Sequence, residues 1–331
     1  MNALYMTNSE NNLRWVYGEA QRARLASLVS LYPQTVTDIE TLSRGGFEDA
    51  EFIFSTWGML PLSNEVIARA LPRLRAVFYA AGSVRGFAEP FLQAGIPVYS
   101  AWQANAVPVV EYTVAQIILA AKGYFRIQPA TRTSRAAAHA LSRNYPGNYN
   151  IRVGLLGCGA IGSRVAKALG QLSMEVLVFD PFLSEARAAE LGVRKAEMDE
   201  IFKTCFIVSN HLANLKETVG IIKRDFFLSM MPYSTFINTG RGPQLCEDDL
   251  YDMLTQDTTR TALIDVMTDE THSDDNRLNA LDNCLITPHI AGSGGHEVCR
   301  MAEYMINAYE TFRDGKPCDY LVTNELFATM A

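Results

Sequence analysis

The 331-residue chain is 48% apolar and 20% charged with a formal net charge of −7, a composition that predicts a soluble globular protein long enough for two cores. Lysines and arginines are scattered, which argues against nucleic acid as a main partner, because neutralising phosphates needs a basic face. The opening MNALYMTNSENNLRW lacks both regions of a signal peptide, and the greasiest run, VPVVEYTVAQIILAA, carries Glu111 and Gln116 and reads as too short to span a bilayer.

The first hundred residues alternate short apolar runs with amphipathic stretches. EFIFS (51–55), RAVFYAA (75–81) and IPVYS (96–100) read as parallel strands. SNEVIARAL (63–71) and FAEPFLQAG (87–95) read as helices, the second closed by Gly95. This alternation predicts an open α/β sheet. A long apolar helix follows at 106–125, then a polar, irregular connector at 126–150. Strand–helix alternation resumes at Ile151 with IRVGLLG, MEVLVFD, CFIVSNH, STFINTG, TALIDVM and NCLITPH. A last amphipathic helix, 296–315, is placed to carry the chain back to the first body. The expected division is 1–104 with 298–331, and 105–297. The six cysteines form neither a CxxC nor a close pair, so they read as reduced thiols of a cytoplasmic protein, with no metal site.

RVGLLGCGAIGSRVAKAL holds Gly157, Gly159 and Gly162 in GxGxxG spacing, after a strand and before a helix. Gly157 permits a tight turn, Gly159 lets backbone approach a pyrophosphate, and Gly162 packs helix on strand, with the helix amides facing the anion. Asp180 ends EVLVFD about 20 residues on, where a carboxylate accepts from the adenosine ribose and repels a 2′-phosphate. Loop and spacing together predict NAD rather than NADP.

Three later strand ends add candidate chemistry. FINTGRGPQL sets Arg241 between two glycines, whose small size gives the guanidinium clearance for an anion. TALIDVMTDE supplies Asp265, Asp269 and Glu270, and CLITPHIAG ends a buried strand at His289. Parallel sheets bind ligands beyond the carboxyl ends of their strands, so these segments are expected to face one crevice.

In these motifs the chain resembles the D-isomer-specific 2-hydroxyacid dehydrogenase family: the glycine loop, INTGRG, LIDVMTDE and TPHIAG occur in its order and approximate spacing. The resemblance is specific over 105–315 and weaker over 1–100. It implies two doubly wound parallel-sheet domains, a Rossmann-type NAD-binding domain inserted into a flavodoxin-like substrate domain, with the active site in the cleft between them. It also implies a homodimer and a D-2-hydroxy acid interconverted with its 2-keto acid. Arg241, Glu270 and His289 fall on the family's catalytic residues. His289 would exchange the proton at the carbonyl oxygen, Glu270 would hold its other ring nitrogen and stabilise imidazolium, and Arg241 would pair with the substrate carboxylate. Asp265 would accept from the nicotinamide carboxamide. Ala160, Ile161, Thr239, Gly240 and Gly292 would line the cofactor, and His211, in SNHLANL, would sit on the cofactor side.

The chain departs from the family where the substrate loop reads YAAGSVRGF, with Val84 and Arg85 in place of the commoner Asp and Asn. Amides around Gly82, Ser83 and Val84 remain able to bind a carboxylate. Ala213-Asn214-Leu215 stand where Pro-Leu-Thr is usual, and Thr271 replaces the proline after the catalytic glutamate. These departures bear on substrate choice and on how Glu270 is positioned. Trp57 and Trp102, at strand ends of the first domain, are candidate walls for the substrate. Two other readings are an NAD(H)-sensing corepressor-like protein with little turnover and a phosphite-type dehydrogenase. Formate chemistry is disfavoured by Glu270, since those enzymes usually carry glutamine.

Overall fold

The computed structural model describes residues 1–329, in two units: Met1–Ala106 with the segment from Ser293 onward, and Val107–Gly292. Both are α/β units on parallel sheets.

The first unit contains strands β1 (Asn2–Met6), β2 (Ser30–Leu31), β3 (Phe52–Ser55), β4 (Ala76–Tyr79) and β5 (Val98–Ser100), in the order β2-β1-β3-β4-β5. That is the flavodoxin-like order, with its switch point between β1 and β3. The sequence reading omitted β1, yet it is an interior strand burying Ala3, Leu4, Tyr5 and Met6. Every residue of β3 and β4 is buried, as a sheet covered on both faces demands. Parallel register sets Phe54 opposite Phe78 and Phe78 opposite Tyr99, and these rings stack at 5.1 and 5.0 Å. The returning helix Val298–Arg313 buries Met301, Met305, Ile306 and Tyr309 in the same core. Tyr309 meets Phe52 edge-on at 5.1 Å, a geometry that aromatic quadrupoles favour.

The second unit contains β6 (Ile151–Leu156), β7 (Met174–Phe179), β8 (Arg194–Lys195), β9 (Ile207–Asn210), β10 (Thr235–Asn238), β11 (Thr261–Ile264) and β12 (Cys284–Ile286). Their order, β12-β11-β10-β9-β6-β7-β8, is the Rossmann pattern with one added strand, and its switch point lies between β6 and β9. The two-residue β8 has no counterpart among the predicted strands.

Two predictions about the middle of the chain need correction. The apolar run is part of a 20-residue helix, Trp102–Ala121, long and apolar enough by length and composition to cross a membrane. Its apolarity has another cause: 44% of the stretch is buried within the protein, with Val109, Thr113, Ile117 and Ala120 spaced along one face. The connector 126–150 is mostly helical, with helices Tyr124–Thr133 and Arg135–Ser142. The first has no buried residue, so its sequence carries only a weak apolar stripe to announce a helix.

Candidate active site

The glycine loop joins β6 to the helix Gly162–Leu169. Gly157 holds φ +93°, and a Cβ there would strike the carbonyl of His211. A Cβ on Gly162 would strike the carbonyl of Gly157, whereas one on Gly159 would meet open space. The loop is thus closed against itself and the residues after β9 and open on the other side, the form a phosphate-binding turn needs. Asp180, just past β7, braces it: Cys158 N–H donates to Oδ2 at 2.7 Å and Phe182 N–H to Oδ1 at 2.8 Å. A carboxylate has about four acceptor sites, so both oxygens retain capacity for ribose hydroxyls. Ala160 and half-buried Ile161 complete the turn. These residues fit a dinucleotide.

His211 follows β9 and is buried. Its Nε2 lies 2.9 Å from Ser209 Oγ, while its buried Nδ1 has no partner among the described residues. Burial pushes its pKa down to about 4, so the ring is neutral at physiological pH and acts as packing under the loop.

Arg241 follows β10. Its Nη1 donates to Gly240 O at 2.7 Å, and among the described residues no carboxylate lies within ion-pair reach. Burial lowers its pKa while the charge of Glu270 opposes that shift; a guanidinium remains charged regardless. A half-buried, unpaired cation is poised for an anionic ligand. Packing requires the flanking glycines. A Cβ on Gly240 would press on Asn210 Nδ2 and Gln244 Oε1 at 2.9 Å, and one on Gly242 would collide with the Met267 carbonyl. Beneath Arg241 runs a buried polar network that sequence reasoning missed. Asn210 Nδ2 donates to Asn238 Oδ1 (2.9 Å) and Gln244 Oε1 (2.7 Å). Gln244 Nε2 donates to Leu212 O and Ala213 O, and Arg241 N–H donates to Gln244 Oε1. The only available signal was an asparagine ending each of two apolar runs, IVSN and TFIN. Thr239 is buried, its Oγ1 3.3 Å from Thr113 Oγ1.

Asp265, past β11, accepts from Thr287 Oγ1 (2.6 Å), Ile290 N–H (2.9 Å) and Ala291 N–H (2.9 Å), while His289 N–H donates to its carbonyl at 3.0 Å. Tyr112 OH lies 3.1 Å from Thr287 Oγ1. These bonds seat the turn that ends at Gly292 and hold His289 at φ +55°, a left-handed conformation that costs a non-glycine residue roughly 1–2 kcal/mol. The ring Nδ1 lies 3.0 Å from the Glu270 carboxylate. Its Nε2 is without a partner among the described residues, and the side chain is 48% exposed. A strained, braced histidine with one nitrogen held and the other offered outward can exchange a proton. His139, His272 and His296 are exposed.

In the first unit, Gly82, Ser83 and Val84 follow β4. Ser100 Oγ holds the loop through the carbonyls of Ala81 (3.0 Å) and Gly82 (2.6 Å), and among the described residues their three backbone N–H groups have no acceptor. Successive free amides form an anion-binding concavity. The Val84 side chain lies in the core, so it offers backbone only. Arg85 is exposed and donates to Ala328 O at 2.6 Å. Trp57 pairs with Trp15 at 5.8 Å. Among the described residues, no group of three acidic, histidine or cysteine side chains is arranged to hold a metal.

Residues 114–291 match the family model of the D-isomer specific 2-hydroxyacid dehydrogenase NAD binding domain. The D-3-phosphoglycerate dehydrogenase of Archaeoglobus fulgidus is 32% identical over 204 residues, 61% of this chain and 38% of that protein. The hydroxypyruvate reductase of Blautia hydrogenotrophica is 32% identical over 165 residues, 50% of this chain and 51% of its own. The matches thus span about half or less of these relatives. A phosphoglycerate oxidoreductase from Rhizobium etli shares the fold with a TM-score of 0.80 at 21% identity, covering 96% of both chains. So does an NAD-complexed D-isomer specific 2-hydroxyacid dehydrogenase from Lactobacillus delbrueckii, with a TM-score of 0.76 at 18% identity, covering 98% of this chain and 100% of that one.

Proposed function

Because the chain belongs to the D-isomer specific 2-hydroxyacid dehydrogenase family, we propose that it is an NAD-dependent oxidoreductase interconverting a D-2-hydroxy acid and its 2-keto acid. The single observation that carries this reading is His289, held in a strained turn by Asp265, with Nδ1 on Glu270 and Nε2 without a partner among the described residues. The Gly157–Gly162 loop and Asp180 would hold NAD, which would supply or take the hydride at the substrate's C2. His289 Nε2 donates a proton to the carbonyl oxygen in reduction and removes it from the hydroxyl in oxidation. Glu270 fixes the ring and stabilises it when doubly protonated. Arg241 binds the substrate carboxylate and draws electron density from the carbonyl. The free amides of Gly82, Ser83 and Val84 support their assignment as carboxylate binders. On the cofactor side, Asp265 and Gly292 would hold the turn that receives the nicotinamide end, and Thr239, Gly240 and His211 would line the dinucleotide.

The working form is a cytoplasmic homodimer acting on a small molecule. Six unpaired thiols suit a reducing compartment, and the helix Tyr124–Thr133, with no buried residue and Tyr124 49% exposed, suits a subunit contact.

The test is NADH oxidation by purified protein across a panel of 2-keto acids, with His289→Gln alongside. Turnover of one or two acids, lost in the variant with NADH affinity intact, supports the proposal. NADH binding without turnover of any acid refutes it in favour of a sensing role.

A further inference from the structure

Among the described residues, His289 is the only hydrogen-bond partner of Glu270, so the position of that carboxylate depends on the backbone carrying it. The next residue is Thr271, whose φ is not locked as a proline's would be and whose N–H needs an acceptor. Asp269 provides one: its Oδ1 accepts from Thr271 N–H (2.9 Å) and His272 N–H (3.1 Å), and its Oδ2 lies 2.9 Å from His272 Nδ1. That local turn is exposed to solvent and cannot anchor the segment to the rest of the unit.

The anchor comes from elsewhere. Glu247 is the first residue of the helix Glu247–Gln256, which is itself fixed by buried Leu250, Met253 and Leu254. Its Oε1 accepts Thr268 N–H at 2.7 Å, and its Oε2 accepts Asn276 Nδ2 at 2.6 Å. Asn276 Oδ1 in turn accepts Leu278 N–H at 2.9 Å. One carboxylate thus grips both ends of the segment bearing Glu270. The entry to that segment also rests on Gly242, where any side chain would strike the Met267 carbonyl.

We propose that Glu247 is a positioning residue, a two-pronged clamp that fixes Thr268–Asn276 and thereby holds Glu270 against His289. This rests on the acid–base reading of His289 given above. Glu247 itself touches no reacting atom; it acts by restricting where the Glu270 carboxylate can be.

The two prongs differ chemically, which allows a complementation test. In Glu247→Gln the amide oxygen can still accept from Thr268, but the new NH2 faces the Asn276 NH2, and the second prong is lost. Asn276→Asp alone sets two carboxylates against each other. Combined, the new amide donates to the new carboxylate, which can still accept from Leu278 N–H.

Each single variant is expected to lower kcat about tenfold, as mispositioned supports of a reacting group do, with NADH affinity and the KM of the keto acid unchanged. Amide exchange across residues 266–278 should accelerate in both. The double variant should return kcat to within about threefold of wild type and restore exchange protection. Full kcat in Glu247→Gln, or a double variant no faster than the slower single, overturns the clamp. If the wild type turns over no keto acid, the functional reading falls by itself and exchange decides: faster in the singles and restored in the double keeps the clamp, and no change removes it.

Discussion

His211 gives a pH dependence whose sign and size follow from its surroundings. Burial lowers its pKa from the ordinary 6.5 to about 4. Because the folded value lies below the unfolded one, the contribution is complete above pH 6.5 and is lost as pH falls toward 4. Below 6.5 the unfolded chain takes up a proton that the folded chain refuses. The fall from 6.5 to about 4 corresponds to about 3 kcal/mol in full, of which roughly 2 kcal/mol is lost between pH 7 and pH 5. The perturbation is His211→Gln, which removes the titrating ring. The four other histidines are exposed and are common to both proteins, so they cancel in the comparison. All three tryptophans lie in the first unit, so their fluorescence does not follow unfolding here. Urea-dependent amide exchange of peptides covering β6 and β9 does. Wild type should lose about 2 kcal/mol more than the variant between pH 7 and pH 5 in those peptides, with the tryptophan-reported midpoint moving equally in both. Parallel losses in the two proteins would mean that the ring is protonated or hydrated in the fold, and the argument from burial would be wrong.

Two further perturbations probe the loops. Gly242→Ala puts a methyl group into the Met267 carbonyl; turnover should fall by about tenfold or more with NADH affinity retained, and normal kcat would show that the segment shifts at no cost. Asp180→Asn removes the charge and leaves one carbonyl oxygen for the two amides of Cys158 and Phe182. NAD affinity should fall and the NAD-over-NADP ratio of kcat/KM should narrow by about tenfold. An unchanged ratio would remove Asp180 from cofactor discrimination.

Much of the fold was legible because buried parallel strands are written as unbroken apolar runs. FIFS, AVFY and VGLL announce themselves, and a glycine turn followed by a strand-end aspartate marks the dinucleotide loop. What could not be read had weaker physics behind it. NALYM, by contrast, carries an unbroken apolar run as buried as that of FIFS, so its strand is legible by the same rule. Helix Tyr124–Thr133 has no fully buried residue and so carries only a weak periodic stripe. Asn210, Asn238 and Gln244 meet only through folding, since hydrogen bonds between residues 28 and 34 positions apart leave no local pattern. Arg241 shows a subtler limit. Its glycines were visible, but their purpose, contact with Asn210, Gln244 and the Met267 carbonyl, depends on neighbouring strands.

The helix Val298–Arg313 has a consequence for how the chain is made. It supplies Met301, Met305, Ile306 and Tyr309 to a core whose strands all lie before residue 101. On a ribosome the sheet of the first unit therefore emerges early and waits, with Phe52, Phe54 and Phe78 lacking their cover, while the whole second unit is synthesised. The second unit has all its strands in one continuous stretch and can close first, as domains generally do when they emerge. A stalled or truncated chain ending near Gly292 would thus present a finished Rossmann-type unit tethered to an uncovered aromatic sheet, a species suited to capture by chaperones.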